Sequence, residues 1–542
     1  MFCSLTARTL PSLLLEIAGR YPNRPFLIDG ERHVTYSEFL NEAKLLARSF
    51  HTLGVRKGDA VAILMGNQVE WLLTQFAVSM LGGVLVALNT WWRQDELRHA
   101  LELTEPKVLV MVDHYLGNDY VETLKKLGDL SCVAPSLNII CLGEARLSDA
   151  LSWDGFRALA SESAADITDT TMPLISPQDD AMILFTSGST AKSKGVPLSH
   201  EGLVENMYSI GERMHLTEED RLLLVVSLFW GFGLNASLAF ISHGASIVLQ
   251  PHHDPAETLR LIEAHRCTAI YATPNLVHAL YDHPDRQHRD LSSLRTGQAR
   301  SSVVHLLHEM GAHEVCTMYG MTEGYANSTV TDGKLPLEVR RRISGHPLPN
   351  TEVQIVDPET RRVLASGAVG EIRIRGYITR GYCKNPSLMD EVRDEDGWFY
   401  TGDLGCLDET GGLEIKGRIK EMIKTGGISV TPADVETLLL QIAGVEQAVV
   451  VGVPDPVRDE IVAAMVALKR GATLTPADIV AYCKSRAASY KVPRYIEIVG
   501  SENVPLTLTG KVHKEKIREV LTSGYRAKAK AAASIDPIEK SA

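Results

Sequence analysis

Short β-branched runs alternate with longer apolar stretches of helical period through most of the chain. Asp59 to Met65 predicts a strand, Glu70 to Met80 an apolar helix ended by Gly82-Gly83, and Val84 to Leu88 the next strand. Lys107 to Asp113 and Ala245 to Leu249 are the continuous apolar runs expected of strands covered on both faces. Pro255 to Cys267 predicts a helix with proline near its first turn, leading into a strand over Thr268 to Ala272. This alternation predicts an α/β fold with largely parallel sheets. From Thr351 the pattern changes: Val353 to Val356 and Gly370 to Gly376 alternate strictly, with glycine and aspartate turns between them, as in a smaller antiparallel or barrel-like region. A second domain is expected from Lys420. There Pro432 to Glu436 opens a helix, Gln447 to Val453 and Ile461 to Leu468 read as strands, and Pro476 to Ser489 as a helix, together a compact α+β unit. The expected domains are therefore residues 1–419 and 420–542. The Ala/Lys-rich tail from Ala527 to Ala542, with Pro537, is expected to fray.

A chain of 542 residues with 45% apolar content can bury more than one core. Its net charge of −12 argues against nonspecific nucleic-acid binding and against a basic membrane patch. Eight scattered cysteines, none in a C-x-x-C pair, fit reduced thiols in a cytoplasmic protein better than disulfides or a zinc site. The apolar stretch from Val61 to Leu88 is interrupted by Asn67, Gln68, Glu70 and Gln75, so no integral membrane segment is expected. At the N-terminus Glu16 cuts short the run from Leu10 to Leu15; Arg8 and Arg20 leave only a faint transit-peptide signal.

The densest chemistry lies between Ile183 and His200. An apolar run ends in four hydroxyl residues (Thr186, Ser187, Ser189, Thr190) around Gly188, followed by Lys192, Lys194 and Gly195. Glycines let backbone amides approach a polyphosphate, hydroxyls donate to its oxygens, and a lysine supplies charge. The G-x-x-x-x-G-K-[ST] spacing of a Walker A loop is absent. On composition alone, a flexible Ser/Gly/Lys surface loop is an equal reading.

Four further segments follow in order: Tyr319-Gly-Met-Thr-Glu323, Tyr400-Thr-Gly-Asp403, Gly417-Arg-Ile-Lys-Glu-Met-Ile-Lys-Thr-Gly-Gly427 and Pro505-Leu-Thr-Leu-Thr-Gly-Lys511. With the loop they resemble, across nearly the whole chain, the adenylate-forming (AMP-binding) enzyme superfamily: acyl-CoA synthetases, peptide-synthetase adenylation domains and beetle-type luciferases. The resemblance implies a large N-terminal domain with doubly wound sheets and a small β-barrel-like subdomain, then a small mobile α+β C-terminal lid. It also implies the reaction. A carboxylate attacks the α-phosphorus of ATP, pyrophosphate leaves, and an acyl-adenylate remains for coenzyme A. By the same resemblance Thr186, Ser187, Gly188, Ser189, Thr190 and Lys194 grip the β- and γ-phosphates. Ala191 and Ser193 stand where glycine and proline are usual, which changes the loop's freedom but leaves its donors. Tyr319 belongs to the nucleotide site, Thr322 meets the α-phosphate and Glu323 holds Mg²⁺. Asp403 accepts both ribose hydroxyls, Arg418 makes a second nucleotide contact, and Gly297-Gln298-Ala299 forms the adenine-side loop, with Arg300 in place of the usual proline. Lys511 bridges α-phosphate and carboxylate during adenylation. Lys420 is the hinge whose rotation removes Lys511 and presents Gly427, which lines the pantetheine tunnel. Outside the motif, Lys511 would read as a surface lysine like Lys514, Lys420 as a linker lysine and Gly427 as a turn glycine.

The segment Val226 to Asn235 resembles the family's substrate-binding strand. Trp230, Gly231, Phe232, Gly320 and Tyr325 are the acid-pocket candidates, although an aromatic on a buried strand is commonly plain core. No acidic residue lies between Val225 and His243, so nothing there would pair an amino group and an amino-acid substrate is disfavoured. The leading expectation is an ATP-dependent acid–CoA ligase acting on an apolar aromatic, alicyclic or fatty acid. One alternative is a stand-alone adenylating enzyme passing acyl-AMP to a carrier protein or to oxygen. The other, motivated by Ala191 and Ser193, is a nucleotide-binding module without catalysis.

Overall fold

The computed structural model describes residues 5–535 apart from 129, 131–132, 135–136, 145–146, 148, 162–173, 187–192, 386, 426–427, 457, 488 and 508–510. The chain packs as two units. One comprises Met1–Val353, Arg373–Tyr400 and Glu409–Glu414; the other comprises Gln354–Ile372, Thr401–Asp408 and Ile415–Ala542.

The first unit holds two seven-stranded sheets. In spatial order the first runs Glu314–Cys316, Thr296–Gln298, Ala269–Tyr271, Arg221–Leu224, Ser246–Leu249, Pro25–Asp29 and Arg32–Thr35, parallel except for its last pair. The second runs Lys194–Ser199, Asp180–Thr186, Val84–Ala87, Ala60–Leu64, Val108–Val112, Asn138–Leu142 and Leu151–Ser152, parallel except for its first pair. Alternate strand residues divide between cores. Val61, Ile63 and Leu85 of one sheet and Leu222, Leu224 and Ile247 of the other share a single core, with the helices Leu10–Arg20, Tyr36–Thr52, Val69–Met80 and Gly231–Ile241 packed into it. Their neighbours Ala62, Leu64, Val86, Leu109 and Met111 face a second core, and Leu223, Val248 and Ile270 a third. Covering both faces explains why these strands read as unbroken apolar runs.

The segments of strict alternation form a four-stranded sheet whose spatial order follows the chain: Thr351–Val356, Gly370–Gly376, Phe399–Leu407 and Leu413–Arg418. In the second unit, Val445–Asp455 and Asp459–Leu468 pair antiparallel, and Tyr495–Val499 adds parallel to the latter. Val450, Val462 and Ala464 pack on Val435, Leu439 and Ile479 of two helices. Their neighbours Val451, Val453 and Ala463 pack on Ile517 and Leu521 of a third, so helices cover both sheet faces. That third helix, Lys514–Ile535, corrects the expected fraying from Ala527: the Ala/Lys run continues the helix to Ile535, in keeping with the strong helix propensity of both residue types. No described helix is long and apolar enough to cross a membrane.

Candidate active site

The antiparallel hairpin of Asp180–Thr186 and Lys194–Ser199 carries the hydroxyl-rich loop at its tip, with Thr186 directly opposite Lys194. Ser187, Gly188, Ser189, Thr190 and Ala191 lie outside the described residues. At the loop's far end a ring nitrogen of His99, from the helix Gln94–Thr104, meets the Ser193 carbonyl at 2.9 Å. This bond braces the point where the resemblance leads one to look for proline.

A second hairpin, Met318–Tyr319 against Thr329–Val330, holds the Tyr-Gly-Met-Thr-Glu segment in its loop. Thr322 and Glu323 sit in a short 3-10 turn. Tyr325 and Ala326 follow with φ of 55° and 73°, an unusual pair of left-handed non-glycine residues. Gly320 makes this path possible: a Cβ there would lie 1.9 Å from the Ala326 carbonyl oxygen. The Tyr325 ring packs inward. It is buried, its hydroxyl bonds the backbone N (3.0 Å) and Oγ (2.8 Å) of Ser199, and it belongs to the central core.

The two hairpins converge on Tyr382. Its hydroxyl donates to Glu323 Oε1 at 3.0 Å, and Lys194 Nζ lies 4.9 Å from its ring centroid. The Thr379 N–H donates to the Glu323 carbonyl (2.7 Å), Thr379 Oγ1 donates to the Pro197 carbonyl (2.7 Å), and the Cys383 N–H donates to the Gly195 carbonyl (2.9 Å). Burial, with Glu323 alongside, raises the Tyr382 pKa and keeps the phenol protonated as a donor. Sequence reasoning missed both Tyr382 and His99. Tyr382 follows an alternating strand in Thr379-Arg-Gly-Tyr382, which reads only as a turn, and His99 lies on an ordinary amphipathic helix.

Trp230 requires a correction. It is not on a strand: the strand ends at Leu224, and Trp230 is the N-cap residue of the helix Gly231–Ile241. That helix is buried nearly all round, so its largely apolar sequence looks like a buried strand. Trp230 packs edge-to-face on Trp91 (5.3 Å between centroids) and on Phe229 (5.9 Å). Gly231 faces Ala326, whose Cβ would lie 3.2 Å from a Cβ at Gly231, and the Phe232 ring lies 5.0 Å from that of Tyr271. Gly297 and Gln298 end a strand, and a Cβ on Gly297 (φ 143°) would strike the Ile270 carbonyl at 1.9 Å. The Gln298 and Ala299 side chains are fully buried, Ala299 in an outer core.

In the second unit Asp403 and Arg418 come together, Arg418 Nε lying 2.9 Å from Asp403 Oδ1. Lys420 is exposed in the short 3-10 turn Ile419–Glu421. Lys511 is exposed in a turn where its N–H meets Thr507 Oγ1 (3.1 Å) and its carbonyl accepts from the Thr507 N–H (2.6 Å), beside a Leu506–Val512 bridge. Thr509 and Gly427 lie outside the described residues. Lys514 is not the plain surface lysine its sequence position implied. It contacts Glu421 (2.8 Å) and Glu436 (3.4 Å), and against the opposing effect of burial these carboxylates hold its ammonium above the ordinary lysine range.

The AMP-binding enzyme family matches residues 14–383, and the AMP-binding enzyme C-terminal domain matches residues 434–511. The chain is 33% identical over 543 residues to the mitochondrial medium-chain acyl-CoA ligase ACSF2 of Danio rerio, covering 95% of this chain and 88% of that one. It is 32% identical over 520 residues to a methyl-dioxo-octahydroindenyl propanoyl:CoA ligase of Rhodococcus jostii (strain RHA1), covering 94% and 98%. The crystal structure of the anthranilate CoA ligase AuaEII with anthranoyl-AMP superposes with a TM-score of 0.84 at 25% identity, covering 96% of this chain and 98% of that one. The chain belongs to the AMP-binding enzyme family and is an adenylate-forming acid–CoA ligase of the acyl-CoA synthetase type.

Proposed function

We propose that this ligase activates a monocarboxylic acid with an aromatic, alicyclic or medium-chain frame and no α-amino group, then transfers the acyl group from AMP to coenzyme A. The observation that carries the site assignment is the convergence of Lys194 and Glu323 on Tyr382, which sets a cation from the phosphate loop and a carboxylate on one side chain. A single carboxylate completed by phosphate oxygens fits Mg²⁺, which is commonly held by one or two carboxylates plus phosphates and water. In keeping with that, no group of three or more acidic, His or Cys ligands occurs among the described residues. Glu323 would hold the ion, which when bound neutralises phosphate charge. Thr322 would meet the α-phosphate, and Asp403 and Arg418 the ribose side. Lys511 would stabilise the charge that builds as carboxylate meets phosphorus. Lys420 would be the hinge at the start of the lid, and Gly427 would leave room for the pantetheine thiol.

The acid class is supported by the aromatic group Trp91, Phe229 and Trp230, and by the absence of any acid from Val226 to Ser242. The relatives' acids, a medium-chain one, a fused-ring propanoate and anthranilate, agree with it. Buried free thiols at Cys267, Cys316 and Cys483 support a reducing, cytoplasmic setting. The test is pyrophosphate release with benzoate, cyclohexanecarboxylate, cinnamate, octanoate, palmitate and several amino acids, with and without CoA. Turnover that needs CoA and favours the ring or medium-chain acids supports the reading. Turnover that ignores CoA points to a carrier protein or another acceptor, and preference for an amino acid contradicts the pocket. Trp230→Ala should change kcat/KM ratios among acids and leave the KM for ATP unchanged.

A further inference from the structure

A closed circuit of contacts runs through two of the acid-pocket candidates, Gly231 and Phe232. Gly231 faces Ala326, whose neighbour Asn327 donates from Nδ2 to Gln298 Oε1 at 2.8 Å. Gln298 is the in-register partner of Tyr271 on the adjacent parallel strand, so both side chains leave the sheet on the same face. Tyr271 donates to Asn235 Oδ1 at 3.1 Å and packs on Phe232, and Asn235 lies one helical turn after Phe232. Gln298 and Asn235 are fully buried, yet Gln298 Nε2 and Asn235 Nδ2 have no hydrogen-bond partner among the described residues. A buried donor left without an acceptor pays its desolvation with no bond in return, so two in one circuit are a strong demand for an acceptor.

Resting on the reading that Trp230, Gly231 and Phe232 line the acid pocket, we propose that Gln298 and Asn235 are specificity residues. They recognise a neutral hydrogen-bond acceptor, a ketone, ether or hydroxyl oxygen, carried on the acid's tail away from the reacting carboxylate. The circuit residues Gly231, Phe232, Asn235, Tyr271, Gln298, Ala326 and Asn327 carry no charge. A second carboxylate would therefore be buried without a cation, which is far costlier than burying a carbonyl. A pocket with apolar walls and an amide-lined portion selects an oxygenated ring or chain over its hydrocarbon counterpart. A site built to hydrogen-bond a group discriminates strongly against the analogue that lacks it.

The test compares kcat/KM for acid pairs on one skeleton, 4-oxocyclohexanecarboxylate against cyclohexanecarboxylate and 7-oxooctanoate against octanoate. The wild type should favour the oxo acid of at least one pair by about tenfold or more, the ratio set by one buried donor. Asn235→Leu should move that ratio toward the hydrocarbon with the KM for ATP unchanged, and Gln298→Met should move the ratio the same way. Gln298→Met also removes the acceptor for Asn327; if it does not fold, the wild-type ratios and Asn235→Leu decide. Ratios within twofold in the wild type, unmoved by Asn235→Leu, would overturn the proposal, leaving an internal water as the amides' partner and the ligase reading intact. Failure of every acid to release pyrophosphate would instead sink the pocket reading and this proposal with it.

Discussion

Tyr382 is the residue on which the phosphate loop and the Glu323 loop both bear. Tyr382→Phe keeps the ring beneath Lys194 and removes only the donor to Glu323. A hydrogen bond to a charged group is worth about 1.5–3 kcal/mol, so kcat/KM for ATP should fall about tenfold or more, with more Mg²⁺ needed for half-maximal rate. An unchanged Mg²⁺ titration would show that the bond does not orient the carboxylate. The glycines beside the site give a paired test. Gly320→Ala drives a Cβ into the Ala326 carbonyl and should lower Tm, with overpacking of about 1–3 kcal/mol, while displacing Thr322 and Glu323. Gly381→Ala meets nothing within 4 Å and should leave Tm and activity close to wild type. The sequence pointed to residue types suited to phosphate, but not to the contact of Tyr382 with Glu323. That contact is made across 59 residues, and no local spacing encodes it.

The helix His200–Arg213 ties the N-terminal segment to the site. Ser199, hydrogen-bonded to Tyr325, caps it, and His200 Nδ1 accepts the Leu10 N–H at 3.2 Å. Burial pushes the His200 imidazole down to about 4. Its unfolded value is ordinary, about 6.5, so the unfolded chain takes up a proton first and stability is lost as pH falls from about 6.5 toward 4. The loss is on the order of 1.4 kcal/mol per pH unit in that window. His200→Gln should flatten the fall of Tm there, and an identical slope in the variant would place the acid sensitivity elsewhere. Some of the elements marked by a period or a proline cap were legible. The strand Ala60–Leu64, the helix Val69–Met80 and the helix Pro255–His265 lie close to where the pattern predicts them. The helix Gly231–Ile241 was not legible, because burial on every side erases the 3.6-residue period, and its length resembles that of a long strand.

At the scale of the whole molecule, acid–CoA ligation is two half-reactions with different demands on one chain. Lys511→Ala should slow acyl-AMP formation by about 100- to 1000-fold, the cost of removing a group aimed at developing charge. It should largely spare thioester formation from supplied acyl-AMP, and equal losses in both steps would contradict the role given to Lys511. Gly427→Leu should do the reverse, keeping acid-dependent pyrophosphate exchange while CoA turnover collapses. Loss of both activities with a lowered Tm would mark Gly427 as a turn glycine only. The five ordered motifs carried the reaction class, because their chemistry is local. The acid was less legible, since the determinants proposed for it come from a helix, two strands and a loop brought together only by folding.

Attack of the carboxylate itself on the α-phosphorus of ATP is the step that sets this reaction apart from other acid activations. It is tested most directly by supplying an accepted acid labelled with ¹⁸O in both carboxyl oxygens, with ATP, Mg²⁺ and CoA, and weighing the products. An acyl-adenylate route leaves one ¹⁸O in the phosphate of AMP, none in pyrophosphate, and one in the acyl-CoA carbonyl. Unlabelled AMP, or label appearing in inorganic phosphate beside ADP, would contradict it.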